Sequence, residues 1–295
     1  MNIAKIICIL VLLLSLSTGQ LIAMPSFMER AYSAQKKACQ SGFDKEYMKA
    51  GIFTLTIYQR LKVPSDSIRI YIEGDGRAWE TRSRLSDDPT PSNPVGLTLA
   101  TADPSDSVVY IARPGQFLAP GSSRCDPTYW SARRFSTEVV EAFDEAIYAL
   151  KAKSGAKTVE LVGYSGGGAL AVLVAARRSD VSSIRTVAGN LDPKTLCDYH
   201  KVSQLDGSID PMDFAKKIAD IPQRHFVGSK DKTVPYLIAE HFVKNEGNAD
   251  GSCITIVDGA THKDGWQRRW KELLSIPLTS ASHPSSRATE DRRKI

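Results

Sequence analysis

A serine stands among glycines at residues 163–167, where the sequence reads Gly-Tyr-Ser-Gly-Gly. The stretch follows an apolar β-type run at 158–162 and leads into a helix-forming run at 169–176. A strand-to-helix turn this tight strains the serine backbone, and side chains two positions to either side of it would collide. The flanking glycines remove that collision. The pattern therefore predicts that Ser165 is an exposed nucleophile. The alternative interpretation is a glycine-rich turn that contains a serine by chance.

Two further residues complete this chemistry, because a serine hydroxyl needs a base and the base needs an acid that orients it. Asp231 follows a predicted strand at 225–228, and His262 follows a predicted strand at 253–257. Side chains at the carboxyl ends of parallel strands meet at one edge of the sheet. We therefore expect His262 to be the base and Asp231 its acid, with Asp192, one strand earlier, as the alternative acid.

An oxyanion formed on a substrate needs two N–H donors. The first is expected from Gly166, the residue after the nucleophile. The second is expected from the glycine-rich loop at 73–79, through the N–H of Asp75 or, as the near alternative, of Gly76. A plain tight turn is the competing interpretation of that loop.

Other polar residues surround these predicted positions. The carboxylates of Glu73 and Asp75 would orient Arg77 or Arg113. His200, in a loop that overhangs the predicted site, and Tyr164, beside the serine, are candidate substrate contacts. The remaining three histidines, His225, His241 and His283, are interpreted as surface or packing residues.

The order of elements predicts an α/β fold. The predicted strands are 52–61, 68–72, 108–112, 158–162, 183–188, 225–228 and 253–257, and the predicted helices are 136–150, 169–176, 212–219, 236–244 and 266–274. Strands that alternate with helices favour right-handed crossovers and a mostly parallel central sheet with helices on both faces. Two polar segments, 77–107 and 191–221, form the predicted small cap over the site.

The chain divides into three parts by composition. A positive residue and a short apolar run near the start predict a signal peptide at 1–23, with a retained membrane anchor as the alternative. A single domain is predicted at 24–277. A disordered basic tail is predicted at 278–295. We expect no stable membrane span once the signal is removed, and the sequence does not indicate an oligomeric state.

Charge and cysteine content narrow the function classes. The net charge of +5 is mild, and the basic tail lacks interleaved aromatic residues, so no nucleic-acid partner is expected. Removal of the predicted signal peptide would leave four of the five cysteines, an even number, in a compartment that permits disulfides. Their three possible pairings stay open, and their spacing is not that of a zinc site. These cysteines are Cys39, Cys125, Cys197 and Cys253.

Six stretches of the chain resemble a family of exported bacterial α/β-hydrolases, over residues 40–277. They are YIEGDG (71–76), ARPGQ (112–116), YWSARRFS (129–136), VGYSGGG (162–168), AGNLD (188–192) and GSIDP (207–211). The order Ser, Asp, His along the chain is also that of the α/β-hydrolase fold. The resemblance supports Ser165, Asp231 and His262 as a catalytic triad. The chain departs from the family pattern at Gly115, where the family is expected to have a cysteine. This departure leaves Cys125 without the partner that the resemblance implies.

The resemblance and the motifs together predict an exported serine hydrolase that cleaves an ester or amide of a small acyl substrate. The reaction proceeds through an acyl-enzyme at Ser165 and requires no metal or organic cofactor. A small or medium soluble ester is the preferred substrate, ahead of a peptide or amide. Two alternatives stay open: an acyltransferase with the same triad, and a binding protein of this fold that has lost catalysis.

Overall fold

The computed structural model describes residues 26–119, 125–248 and 251–280. The predicted signal peptide at 1–23 and the tail from 281 onward lie outside the described residues. We number the helices and strands in chain order. The helices are α1 (Phe27–Gln40), α2 (Val95–Ala102), α3 (Thr137–Ser154), α4 (Gly166–Ala175), α5 (Pro193–His200), α6 (Tyr236–Glu246) and α7 (Trp270–Ser275). The strands are β1 (Asp44–Ala50), β2 (Phe53–Arg60), β3 (Ser67–Ile72), β4 (Val108–Ile111), β5 (Thr158–Tyr164), β6 (Val181–Val187), β7 (Gln223–Gly228) and β8 (Ile254–Val257). Short 3₁₀ helices occupy Pro127–Trp130, Pro211–Ile218 and Gln267–Arg269.

The eight described strands form one sheet in the order β1-β2-β4-β3-β5-β6-β7-β8. The β1–β2 hairpin and the β2–β4 pair are antiparallel, and all later neighbours are parallel. The prediction of a mostly parallel sheet is therefore confirmed. Because β5, β7 and β8 run in the same direction, the loops that follow them lie at one edge of the sheet.

A buried apolar layer covers each face of the sheet. Helices α3, α4 and α6 contribute to one layer, in which α4 is buried along its whole length. Helices α1 and α2 pack on the opposite face with Trp266 and Trp270. The first face is covered by helices whose apolar residues recur at helical spacing, as Val139, Val140 and Phe143 do in α3. Both predicted helical layers are confirmed.

Several elements differ from the sequence prediction. The predicted helix at 212–219 is a 3₁₀ helix, and α1, β1, α2 and α5 were not predicted. Ser136 occupies the predicted N-cap position of α3, but its hydroxyl accepts no capping hydrogen bond. At the other end of the chain, Thr279 pairs with Gln223 through two backbone hydrogen bonds. Thr279 and Ser280, which follow the predicted domain at 24–277, are buried.

Disulfide bonds and membrane-spanning helices were both considered in the sequence analysis. All four predicted disulfide candidates lie among the described residues, and no disulfide joins any two of them. Within the same residues, every helix is too short or too polar to cross a bilayer.

The core layer under α3 gives a direct stability test. Phe143 is fully buried in that layer, whereas Tyr148 on the same helix is 71% exposed. We expect Phe143→Ala to lower the free energy of unfolding by about 3–5 kcal/mol, because it removes apolar contacts and leaves a cavity. Urea denaturation measures the change. Tyr148→Ala is the control and should change stability by less than about 0.5 kcal/mol. Equal losses in the two variants would contradict this description of the core.

Candidate active site

The turn between β5 and α4 holds Ser165 in a strained conformation. Its φ is 51° and its ψ is −121°, a region that a non-glycine residue rarely adopts. A Cβ at Gly163 would overlap the carbonyl group of Gly167, and a Cβ at Gly167 would overlap the carbonyl oxygen of Ile72. Glycine is therefore required at both positions for β5 to turn directly into α4, as the sequence pattern predicts.

The structure brings Ser165, His262 and Asp231 into one hydrogen-bonded chain. His262 Nε2 lies 3.0 Å from Ser165 Oγ, and His262 Nδ1 lies 2.9 Å from Asp231 Oδ2. A carboxylate accepts hydrogen bonds, so Nδ1 carries the hydrogen and Nε2 is left to accept the serine proton. The second carboxylate oxygen, Oδ1, accepts the N–H groups of Thr233 and Val234 at 2.8 and 2.9 Å. These bonds fix the carboxylate, whose side chain is fully buried.

The loop that carries His262 is fixed through its backbone carbonyl. Tyr164 Oη and Trp266 Nε1 each donate a hydrogen bond to the His262 carbonyl oxygen at 3.1 Å. The Tyr164 ring also packs against the imidazole, with ring centroids 5.3 Å apart. The hydroxyl of this candidate substrate contact is thus engaged in holding the base. The other candidate, His200, is exposed, and its Nε2 lies 2.8 Å from the carbonyl oxygen of Thr233 beside the acid loop.

The alternative acid pairs with a different histidine. Asp192 caps the N-terminus of α5 by accepting the N–H of Thr195 at 2.9 Å. Its Oδ2 lies 3.3 Å from Nδ1 of His241 on α6. Asp231, and not Asp192, is therefore the carboxylate that contacts His262.

The loop after β3 reaches the nucleophile, as expected for an oxyanion loop. A Cβ on Gly74 would stand 3.0 Å from Ser165 Cβ, so the backbone of Gly74 lies against the serine. Gln116 Nε2 donates to the Gly74 carbonyl at 3.0 Å. In a trans peptide the next N–H, that of Asp75, points the opposite way from this carbonyl. Among the described residues, the N–H groups of Asp75 and Gly166 have no protein acceptor.

The side chain of Asp75 was predicted to add negative charge and to orient an arginine. Its carboxylate packs on the Cα of Gly166, where a side chain would overlap it. It forms ion pairs with Arg113 Nη1 at 2.9 Å and Arg134 Nη1 at 2.5 Å. Burial alone would raise the pKa of Asp75, but the charges of Arg134 and Arg113 outweigh burial and hold the pKa below its ordinary value. Two arginines against one carboxylate leave a net positive charge beside Gly166.

Of the two arginines offered by the sequence, Arg77 or Arg113, it is Arg113 that pairs with Asp75. Arg77 lies instead near Glu80, with an N–O distance of 3.7 Å. Arg134 was missed because its pairing with Asp75 joins residues 59 positions apart in sequence.

Glu73 is fully enclosed and binds backbone donors instead of an arginine. Its carboxylate accepts the N–H groups of Gly74 at 3.0 Å, Gly96 at 3.1 Å and Leu97 at 3.3 Å. Burial raises its pKa, and these three hydrogen bonds partly oppose the increase. The contacts tie the oxyanion loop to the first turn of α2.

A separate polar cluster lies at the opposite edge of the sheet, at the starts of β7 and β8. Ligand atoms of His225, Glu246 and Cys253 all lie within 4.8 Å of one another. Both imidazole nitrogens of His225 already have partners, Thr186 Oγ1 at 2.9 Å and Gln223 Oε1 at 3.1 Å. Burial raises the pKa of Glu246 to about 8 and lowers that of His225 to about 3, so both groups are neutral at pH 7. These observations favour a hydrogen-bonded cluster of neutral groups at this edge.

Comparison with known proteins identifies the fold. No protein-family model and no curated protein sequence matches the chain. Solved structures do match it. An alpha-beta serine hydrolase homologue from Coxiella burnetii is 18% identical with a TM-score of 0.51, over 78% of this chain and 93% of that one. The chain has the α/β-hydrolase fold.

Two further solved structures agree with this fold. Est1E from Butyrivibrio proteoclasticus is 15% identical with a TM-score of 0.52, over 78% of this chain and 97% of that one. A puromycin-hydrolyzing peptidase from Mycobacterium tuberculosis is 16% identical with a TM-score of 0.55, over 79% of this chain but 38% of that one. At such identities the likeness establishes the fold, whereas the chemistry must be argued from the site of this chain.

The ion pairs of Asp75 should make stability depend on pH. Because its pKa is lowered in the folded state, the carboxylate adds stability above its ordinary pKa of about 3.9 and loses it as pH falls through the folded pKa. We expect Asp75→Asn to cost about 3 kcal/mol near pH 7, because the buried Arg113 and the half-buried Arg134 lose their partner. The difference from the native protein should shrink below about pH 4. Urea unfolding at several pH values measures it, and a difference that is constant down to pH 3 would contradict the assignment.

Proposed function

We propose that this chain is a serine hydrolase that cleaves a carboxylic ester through an acyl-enzyme at Ser165. The observation that carries the proposal is the chain of hydrogen bonds from Ser165 Oγ through His262 to Asp231, at the edge of an α/β-hydrolase sheet. Two backbone donors without protein acceptors lie beside that serine. The fold is shared with proteins described as a serine hydrolase homologue and a puromycin-hydrolyzing peptidase, which supports hydrolysis as the reaction class.

The first half of the proposed reaction is the acylation of Ser165. His262 Nε2 takes the proton of the Ser165 hydroxyl while Oγ attacks the carbonyl carbon and the carbonyl π electrons move to oxygen. Asp231 holds the tautomer and stabilises the imidazolium. The N–H groups of Gly166 and Asp75 stabilise the oxyanion, and each such donor typically lowers the barrier by roughly 3 kcal/mol. The tetrahedral intermediate collapses, the alcohol leaves with the proton from His262, and the acyl group stays on Ser165.

The second half repeats these steps with water. His262 takes a proton from water, whose oxygen attacks the acyl carbon, and Ser165 leaves with the proton from His262. The free acid is released. Every step uses groups of the chain and water. The net positive charge of Arg113 and Arg134 with Asp75 lies where negative charge develops, which favours both oxyanions.

We further propose that the protein acts after export, on small or medium soluble esters. The signal-like segment at 1–23 supports export. Of the two segments predicted as a cap, 191–221 contains the short helix α5, whose His200 lies 2.8 Å from the Thr233 carbonyl oxygen in the acid loop, and this contact supports a small cap at the site. N-terminal sequencing of protein purified from the extracytoplasmic fraction tests the first point. A mature chain that still begins at Met1 would contradict it.

A fluorophosphonate probe tests the nucleophile and its partners. We expect the native protein to be labelled at Ser165 and Ser165→Ala to stay unlabelled. Asp231→Asn should slow labelling by about 10³–10⁴-fold, because the imidazole loses the partner that fixes its tautomer. Asp192→Asn is the matched control, since that carboxylate contacts His241, and its labelling rate should stay near that of the native protein.

Three outcomes of this experiment would change the proposal. Native protein that is folded but unlabelled would reject a serine hydrolase and leave a non-catalytic binding protein. A larger loss in Asp192→Asn than in Asp231→Asn would reject the acid. A labelled protein that transfers acyl groups to added alcohols faster than to water would be an acyltransferase.

The oxyanion loop gives an independent prediction. Gln116→Met removes the hydrogen bond that holds the Gly74 carbonyl and thereby the orientation of the Asp75 N–H. We expect kcat for nitrophenyl esters to fall about tenfold with little change in KM, since the donor acts in the transition state. A rise in KM with unchanged kcat would assign the loop to ground-state binding.

A further inference from the structure

A cavity of about 370 Å³ opens beside the loop that carries His262. It lies between the C-terminal part of α1, the start of α2 and the residues that follow His262. Its lining includes the apolar side chains of Val95, Leu99 and Trp266. Its volume is within the range of small-molecule sites in proteins, and its mix of apolar and polar groups is typical of them.

The charged side chains around this cavity are mostly positive. Lys37, Lys263 and Arg268 line it, together with a single carboxylate, Asp264. Among the described residues, none of these four groups belongs to an ion pair. These four groups together have a net charge of +2, which no salt bridge among the described residues offsets.

Lys37 is the most enclosed of these cations. Its Nζ donates a hydrogen bond to Thr98 Oγ1 at 2.7 Å, which fixes the ammonium at the wall of the cavity. An ammonium has three donors, so two remain for a ligand. Burial lowers its pKa, and a nearby anion would offset that effect.

Two walls of the cavity are adjacent in the chain or by hydrogen bonds to residues of the candidate active site. Lys263 follows the proposed base, and Trp266 donates to the carbonyl oxygen of His262. On the other side, the first turn of α2 is bound to the carboxylate of Glu73, the residue before Gly74, which lies against Ser165. A molecule seated in the cavity thus contacts the loop that follows His262 and the helix α2, whose first turn is bound to Glu73.

We propose that this cavity is a subsite for a carboxylate group of the substrate. This inference rests on the proposed function and narrows it to esters whose acyl or alcohol part carries a carboxylate. Lys37 contributes a fixed point charge, and Arg268 offers a planar guanidinium that can bind both carboxylate oxygens. The apolar wall formed by Val95, Leu99 and Trp266 accommodates the carbon chain between the carboxylate and the ester.

Matched substrates test the subsite through a selectivity ratio. The ratio compares kcat/KM for 4-nitrophenyl hydrogen glutarate, which carries a carboxylate, with that for uncharged 4-nitrophenyl butyrate. We expect the ratio to fall about tenfold in Lys37→Met and in Arg268→Met, because each loses a charged hydrogen bond to the carboxylate. Lys36→Met and Lys271→Met are the controls, since both lysines are exposed neighbours that do not line the cavity. Their ratios should equal that of the native protein.

Binding to the inactive protein separates this inference from the proposed function. With Ser165→Ala, calorimetry compares monomethyl glutarate, which is an anion, with neutral dimethyl glutarate. Saturable binding of the anion that is at least about tenfold weaker after adding Lys37→Met supports the subsite. No saturable binding, or binding that Lys37→Met leaves unchanged, overturns it, whether or not Ser165 reacts. Failure of the proposed function has its own readout, the absence of fluorophosphonate labelling.

Discussion

The steric fit between β5, α4 and the end of β3 is the constraint on which the rest of the site depends. Gly167 packs on the carbonyl oxygen of Ile72 with no room for a side chain, and Gly163 packs on Gly167 in the same way. This contact fixes the strained serine relative to the last residue of β3. Because the oxyanion loop begins immediately after Ile72, the nucleophile and the donors of that loop are positioned by a single backbone contact.

A second feature of the site is how it accommodates buried carboxylates near an oxyanion. A negative charge beside Gly166 would oppose the chemistry, yet the Asp75 carboxylate lies there. The two arginines reverse the local charge, so the carboxylate becomes the anchor that places two cations at the site. Glu73 is held differently, by backbone N–H groups of the oxyanion loop and α2, which partly oppose the rise in its pKa caused by burial.

The proposed acid, Asp231, and the proposed base, His262, are held in position by different kinds of contact. The acid is fixed by backbone N–H groups within its own loop, from Thr233 and Val234. The base is fixed from outside its loop, through the carbonyl group to which Tyr164 donates a hydrogen bond. Tyr164 precedes the nucleophile, so the strand that presents the serine also holds the histidine. Trp266, which donates to the same carbonyl, also lines the cavity proposed as a subsite.

The local features of this protein can be predicted from its residues alone, because they follow from short-range sterics and periodicity. The elbow around Ser165 needs glycines within two residues, α3 has apolar residues at helical spacing, and α4 has an uninterrupted run of apolar residues at 169–175. The alternation of strands and helices then placed Asp231 and His262 at the correct edge. Polar or short elements such as β1, with alternating exposed and half-buried residues, and α2, with a glycine in its first turn, lack such a signal.

Contacts between side chains that are far apart in the sequence are seen only in the folded chain. The sequence allowed either Asp192 or Asp231 as the acid, and the folded chain pairs each with a different histidine. The fold also places Arg134 against Asp75. It places α1 beside the loop that follows His262, and the cationic cavity lies between them. These contacts depend on strand order and helix packing over long separations, and no local pattern of residues specifies them.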